Sequence, residues 1–236
     1  MTRFGRAFVW VGGALFVGSL AWWAWWYAIP LSRTGPWMGW RPVAYDAALF
    51  TVFAGHHSLF ARDAVKRRLS AIPALLRRSL YVWVASLLLI LVCLLWQAVG
   101  AEAYTIHGAG SIALAGVQLV GLWIIARAVA KIDPLELAGI RAAGPAEAAS
   151  TTAPRPSGLQ ITGPYRWVRH PVYLGWILIV FGAAHMTGDR LVFAIVSSLY
   201  LMVAVPWEER SLVQSFGDEY VRYQRRVRWR VVPYVY

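Results

Sequence analysis

The densest chemistry in the chain lies in Gly163-Pro164-Tyr165-Arg166-Trp167-Val168-Arg169-His170-Pro171-Val172-Tyr173-Leu174-Gly175, followed downstream by Glu208-Glu209. Arginines, an imidazole, two phenols and two carboxylates suit the binding and orientation of a charged ligand and the handling of a proton. Two prolines forbid a continuous helix through the first motif. Gly163-Pro164 should turn the chain, Arg169-His170 should be extended or turned, and Pro171 should open a helix with Tyr173 in its first turn. Taken singly, each group has a plainer role. Juxtamembrane arginines anchor a membrane face, and Glu208 and Glu209 could form ion pairs at a helix end. Their coincidence, two acids ending one apolar stretch and Arg-His-Pro opening the stretch before it, favours a site.

Asp46, His56 and His57 lie in an earlier apolar stretch, where ionisable groups are costly and often functional. Asp46 and His57 share a helix face but stand about three turns apart, so interfacial packing is the simpler account. A haem or metal site drawn from His56, His57, His107 and His185 has poor spacing. Cys93 sits inside an apolar run as a small buried hydrophobe.

These residues must be carried by membrane helices. The 236-residue chain is 59% hydrophobic and 14% charged, against roughly 45–50% and 25% in soluble domains. Fourteen tryptophans and eleven tyrosines suit interfacial anchoring. The expected fold is an all-α integral membrane protein of about six transmembrane helices, near residues 7 to 29, 43 to 60, 79 to 99, 109 to 130, 171 to 186 and 190 to 207. The last two form a short hairpin through a turn at His185 to Arg190. Leu212, Val213, Phe216, Tyr220, Tyr223 and Val227 mark one face of a C-terminal amphipathic helix. Residues 132 to 141 read as a short surface stretch, and 142 to 158 as a flexible loop. Arg3 and Arg6 precede a first span too long for a signal-peptide core, so it is read as retained. The chain has no Cys-a-a-X ending.

Lysines and arginines concentrate in alternate connectors, which puts both termini and the 163–175 motif on the cytoplasmic face. The net charge of +12 is therefore topological, and no nucleic-acid partner is expected. The organisation reads as a four-helix region over 1–130, a connector over 131–162 and a cofactor-binding and catalytic part over 163–236.

The motif Gly-Pro-Tyr-Arg-x-Val-Arg-His-Pro-x-Tyr-Leu-Gly, with Glu208-Glu209 and Phe216-Gly217-Asp218-Glu219-Tyr220-Val221-Arg222-Tyr223 behind it, resembles the isoprenylcysteine carboxyl methyltransferase and phospholipid methyltransferase superfamily. Residues 55 to 97, including His57-Ser58, resemble its bacterial methanethiol S-methyltransferase-like members. The resemblance implies an integral membrane, S-adenosyl-L-methionine-dependent methyltransferase, here of the bacterial inner membrane, acting on a lipophilic or small acceptor. It implies cofactor contacts from Ser157, Gly158, Leu159, Gln160, Tyr165, His170, Pro171, Val172, Tyr173 and Glu208. Arg169 and Glu209 become candidates for orienting the acceptor or polarising the reacting group, and His170 is open between cofactor contact and base. No Gly-x-Gly-x-x-Gly segment of the soluble methyltransferases is present. The acceptor could be a thiol, a carboxylate, a phospholipid amine or another lipid. The alternative is a non-catalytic membrane protein of the same fold.

Overall fold

A computed structural model describes residues 2–61, 74–131, 138–140 and 159–236. The side chains of residues 57–61 and 74–75 fall outside that description, as do the expected loop at 142–158, most of the surface stretch at 132–141, and Ser157 and Gly158. The chain is mostly helical and divides into two compact units, Met1–Ala101 with Asp133–Thr151, and Glu102–Ile132 with Thr152–Tyr236.

The first unit holds α1 (Arg3–Ala28), α2 (Trp40–Ala61) and α3 (Ala74–Leu95). Helices α1 and α3 approach closely because Gly12 leaves room for Trp83, whose indole N–H donates to the Phe8 carbonyl at 3.0 Å. The Phe8 and Trp83 rings stack at 5.5 Å. Asp46 on α2 is fully buried and accepts the Gln97 backbone N–H at 2.9 Å, just beyond α3. His56 stacks on Tyr81 at 5.6 Å. No group of three or more His, Cys, Asp or Glu side chains suited to a metal occurs among the described residues.

The second unit holds α4 (Ala109–Val129), α5 (Pro171–Phe181), α6 (Gly188–Phe216) and α7 (Asp218–Arg226). Helices α4 and α5 cross at Gly121 and Gly175, where a Cβ on either would lie 2.6 Å from the other's carbonyl oxygen. Strands β1 (Glu102–Thr105) and β2 (His185–Thr187) pair antiparallel. The turn expected at His185 to Arg190 is therefore a strand running directly into α6, with the Thr187 hydroxyl capping the Arg190 N–H at 3.2 Å.

Four segments among the described residues are long and apolar enough to cross a membrane: Arg3–Ser32, Leu76–Leu95, Ala109–Val129 and Gly188–Phe216. With 11 residues, α5 reaches only about 16 Å, roughly half of a ~30 Å hydrocarbon layer. The 29-residue α6 is about 43 Å long at its 1.5 Å rise and continues past the expected end at residue 207. The apolar face expected from Leu212 to Val227 does not follow one helix. Gly217, at φ 56, ends α6 and starts α7. Around that corner Leu212, Val213 and Phe216 still meet Tyr220, Tyr223 and Val227 in one cluster.

Candidate active site

Pro171 opens α5 where a missing N–H is harmless, and its ring keeps His170 out of the helical region, at φ −121 and ψ 66. Upstream, Gly163 at φ 64 leads into a 3-10 turn, Gly163–Arg166. The extended Arg169-His170 dipeptide between these turns pairs with the chain's last residues. The Arg169 N–H donates to the Trp229 carbonyl at 2.9 Å and the His170 N–H to the Arg230 carbonyl at 2.8 Å. On α6, Pro206 offers no N–H to the preceding turn, and Glu208 and Glu209 follow after Trp207.

Five side chains from these segments converge. Arg169 Nε lies 2.5 Å from Glu209 Oε1, both side chains being 7% exposed. Its Nη1 donates to the Val227 and Arg228 carbonyls at 2.7 and 2.8 Å. His170 stands between the two acids, Nδ1 3.5 Å from Glu208 Oε2 and Nε2 3.4 Å from Glu209 Oε1. The Tyr173 hydroxyl donates to Glu208 Oε2 at 2.7 Å, and its ring stacks on His170 at 5.3 Å. Glu209 is buried, whereas Glu208 is 44% exposed, so one carboxylate is structural in setting and the other faces outward.

Electrostatics follows from this geometry. Burial pulls His170 down, but hydrogen bonding to and the charge of Glu208 and Glu209 outweigh it, and the imidazole is raised above its ordinary value. Burial, with Glu208 nearby, pushes the Tyr165 phenol up to about 12, so it stays neutral. The buried Tyr220 hydroxyl has no hydrogen bond among the described residues, whereas His170 Nε2 has its 3.4 Å contact with Glu209. Leaving a buried hydroxyl unsatisfied costs about 1–3 kcal/mol, so Tyr220 would gain from a polar ligand.

The structure thus brings together Tyr173, His170, Glu208, Arg169 and Glu209. Tyr165 lies beside them, its carbonyl accepting the Tyr223 hydroxyl at 2.7 Å. Leu159 packs on the cluster of Tyr220, Tyr223 and Val227. Gln160 and Val172 are half-buried and Pro171 is buried. Two participants were not anticipated. Arg230 Nε lies 3.4 Å from Glu209 Oε2, and Gln224 Nε2 donates to the same oxygen at 3.3 Å. The signal for Arg230 was the alternation Val227, Arg228, Trp229, Arg230, Val231, a strand-like period able to pair with an extended Arg169-His170.

Residues 146–219 match the family model described as phospholipid methyltransferase. The chain is 32% identical over 198 residues to the methanethiol S-methyltransferase of Pseudomonas deceptionensis, covering 82% of this chain and 74% of that one. It is 34% identical over 189 residues to the methanethiol S-methyltransferase of Mycobacterium tuberculosis, covering 79% and 77%. The chain belongs to the methanethiol S-methyltransferase family. It is a membrane methyltransferase, and the superfamily expected from the His170 and Glu208 motifs is the one found. This methyltransferase is also 30% identical over 183 residues to nurim of Sus scrofa, covering 72% and 68%. No solved structure matches the chain.

Proposed function

We propose that the protein is an S-adenosyl-L-methionine-dependent methyltransferase whose acceptor is a small thiol, with its site at the junction of α5, α6 and the tail. The observation that carries this reading is the His170 imidazole held between Glu208 and Glu209, with the buried Tyr220 hydroxyl left without a hydrogen bond among the described residues. The names of the relatives support a thiol acceptor.

The residues present fit the cofactor. Glu208 supplies an outward-facing carboxylate for its hydroxyls or ammonium group. The Tyr220 hydroxyl supplies unmet hydrogen-bonding capacity. Leu159, Gln160, Tyr165, Pro171, Val172 and Tyr173 supply walls and backbone groups, with Ser157 and Gly158 as further contacts. Bound S-adenosyl-L-methionine supplies an electrophilic methyl group on a sulfonium, so the protein's task is alignment of the acceptor sulfur rather than covalent or metal chemistry.

Arg169 and Arg230 balance Glu208 and Glu209, the two carboxylates favour the protonated form of His170, and a site made net positive in that form lowers the pKa of a bound thiol. The acceptor is therefore held as the thiolate, its proton leaving to solvent. His170 keeps its own proton at the two carboxylates and acts as a contact rather than a base. Arg169, whose Nε and Nη1 donate to Glu209 and to the tail, is a positioning residue. Glu209 anchors Arg169, His170 and Arg230 together.

The proposal includes six membrane segments with both termini on the cytoplasmic face of a bacterial inner membrane. In it, α5 and α6 form the last hairpin, with α5 as a half-length arm, and α7 with its tyrosine face lies at the interface. Residues 1–130 serve as the transmembrane support, 131–162 as the connector and 163–236 as the working part.

The test is calorimetry of S-adenosylhomocysteine on detergent-purified protein, paired with methyl transfer to methanethiol, a phospholipid amine and a prenylated cysteine. Binding lost in His170→Ala and Glu208→Ala, with turnover on the thiol alone, supports the reading. Absence of binding by the folded protein overturns it.

A further inference from the structure

A cleft opens where the tail meets the 3-10 turn. It has a volume of about 480 Å³ and is lined by Arg166, Trp167, Arg226, Val227, Arg228, Trp229, Pro233 and Tyr234. Its lining contains no carboxylate. Arg166, Arg226 and Arg228 are exposed and come from two separate segments, the 3-10 turn and the junction of α7 with the tail. No side-chain hydrogen bond or ion pair engages any of them among the described residues. A cation ending α7 is ordinary, since it complements the helix dipole. Three unneutralised guanidiniums brought together from two segments repel one another and gain from an anion.

The aromatic members say where that anion lies. Trp167 is 52% exposed and stacks at 6.1 Å on Trp123 of α4. Trp123 belongs to a membrane-crossing segment that exposes Leu119, Val120 and Leu122. It stands near that helix's end, shortly before Arg127 and Lys131. Trp229 and Tyr234 pair at 5.2 Å on the cleft's other wall. Indole and phenol rings next to cations, beside the end of a lipid-facing helix, mark the headgroup layer.

We propose that this cleft binds the phosphate of an anionic membrane phospholipid, with Arg166, Arg226 and Arg228 as its cationic contacts and Trp167, Trp229 and Tyr234 at the headgroup level. The cleft adjoins the acid–histidine cluster, whose Arg169 holds the Val227 and Arg228 carbonyls, but its own guanidiniums are not members of that cluster, and the proposal does not depend on what is methylated there.

Its test is titration of tail-labelled phosphatidylglycerol into the full chain in a neutral detergent, read by fluorescence anisotropy, with unlabelled competitors. Unlabelled phosphatidylglycerol should compete, and phosphatidylcholine should not. Inorganic phosphate at millimolar concentration should also fail, because the lipid is held at the headgroup layer by its tails as well. Each surface guanidinium contributes on the order of fivefold in affinity, so the variant Arg166→Gln/Arg226→Gln/Arg228→Gln should bind on the order of a hundredfold more weakly. The single variant Arg228→Gln, losing several-fold, keeps the test decisive if the triple variant does not fold. Equal competition by phosphatidylcholine, effective competition by inorganic phosphate, or unchanged affinity in a folded variant would each overturn the proposal.

Discussion

Arg169 and Glu209, forty positions apart, meet at 2.5 Å between Nε and Oε1 while both side chains are buried. That contact ties the extended dipeptide before α5 to the last turns of α6, and Nη1 and the backbone N–H of Arg169 hold the tail. Removing one partner from a buried pair leaves an uncompensated charge, at about 3–5 kcal/mol. Arg169→Ala and Glu209→Ala should each lower the thermal midpoint strongly, and the double variant should lose less than the sum. Additive losses in a double-mutant cycle would show that the two residues act independently.

His170 gives the fold a pH dependence of definite sign. Its value is raised in the folded state from 6.5, so its stabilising contribution is complete below about 6.5 and is lost as pH rises through the folded value. The thermal midpoint should fall over that window in the intact protein, and His170→Gln should remove this part of the slope. A slope unchanged in the variant would assign the titration to another group.

Gly121 and Gly175 set the approach of α4 to α5. An added methyl on Gly121 meets the Gly175 carbonyl at 2.6 Å, and backbone cannot swing aside as a side chain does. Gly121→Ala and Gly175→Ala should each destabilise by about 1–3 kcal/mol, the usual range for overpacking. Gly116→Ala, with nothing within 4 Å of its added carbon, should be tolerated. Thermal unfolding of the three variants in one detergent decides this.

The Tyr173 hydroxyl holds the exposed acid at 2.7 Å. Tyr173→Phe keeps the ring stack on His170 but removes this hydrogen bond to Glu208. The bond is solvent-exposed, so its loss should cost at most about 1 kcal/mol of stability, while a Glu208 no longer oriented by Tyr173 should weaken S-adenosylhomocysteine binding several-fold. Calorimetry on the variant reads the outcome directly.

Much of the site was legible locally. Pro171 and Gly163 punctuate the chain by rules that need no tertiary context, so the start of α5 and the extended Arg169-His170 followed from the sequence. The facing of Glu208 and Glu209 toward His170 was inferred from the coincidence of two motifs, and the cofactor from resemblance alone. Non-local pairing was not legible. Nothing in His185-Met186-Thr187 announces that it will pair with Glu102–Thr105, because a short strand exists only through its partner. The grip of residues 227–230 on Arg169-His170 was hidden for the same reason. Gly217 was passed over because the apolar face on either side of it kept its helical period, and the period alone does not show a corner.

The length of α6 has a consequence for the membrane around it. A rod of about 43 Å in a ~30 Å hydrocarbon layer must tilt or protrude, and which it does depends on acyl-chain length. Glu208 and Glu209 ride near its end, whereas their partner His170 sits on the half-length α5. Bilayer thickness therefore acts as a lever on the register between the acids and the imidazole, and turnover in vesicles should pass through an optimum as the lipid chains are lengthened.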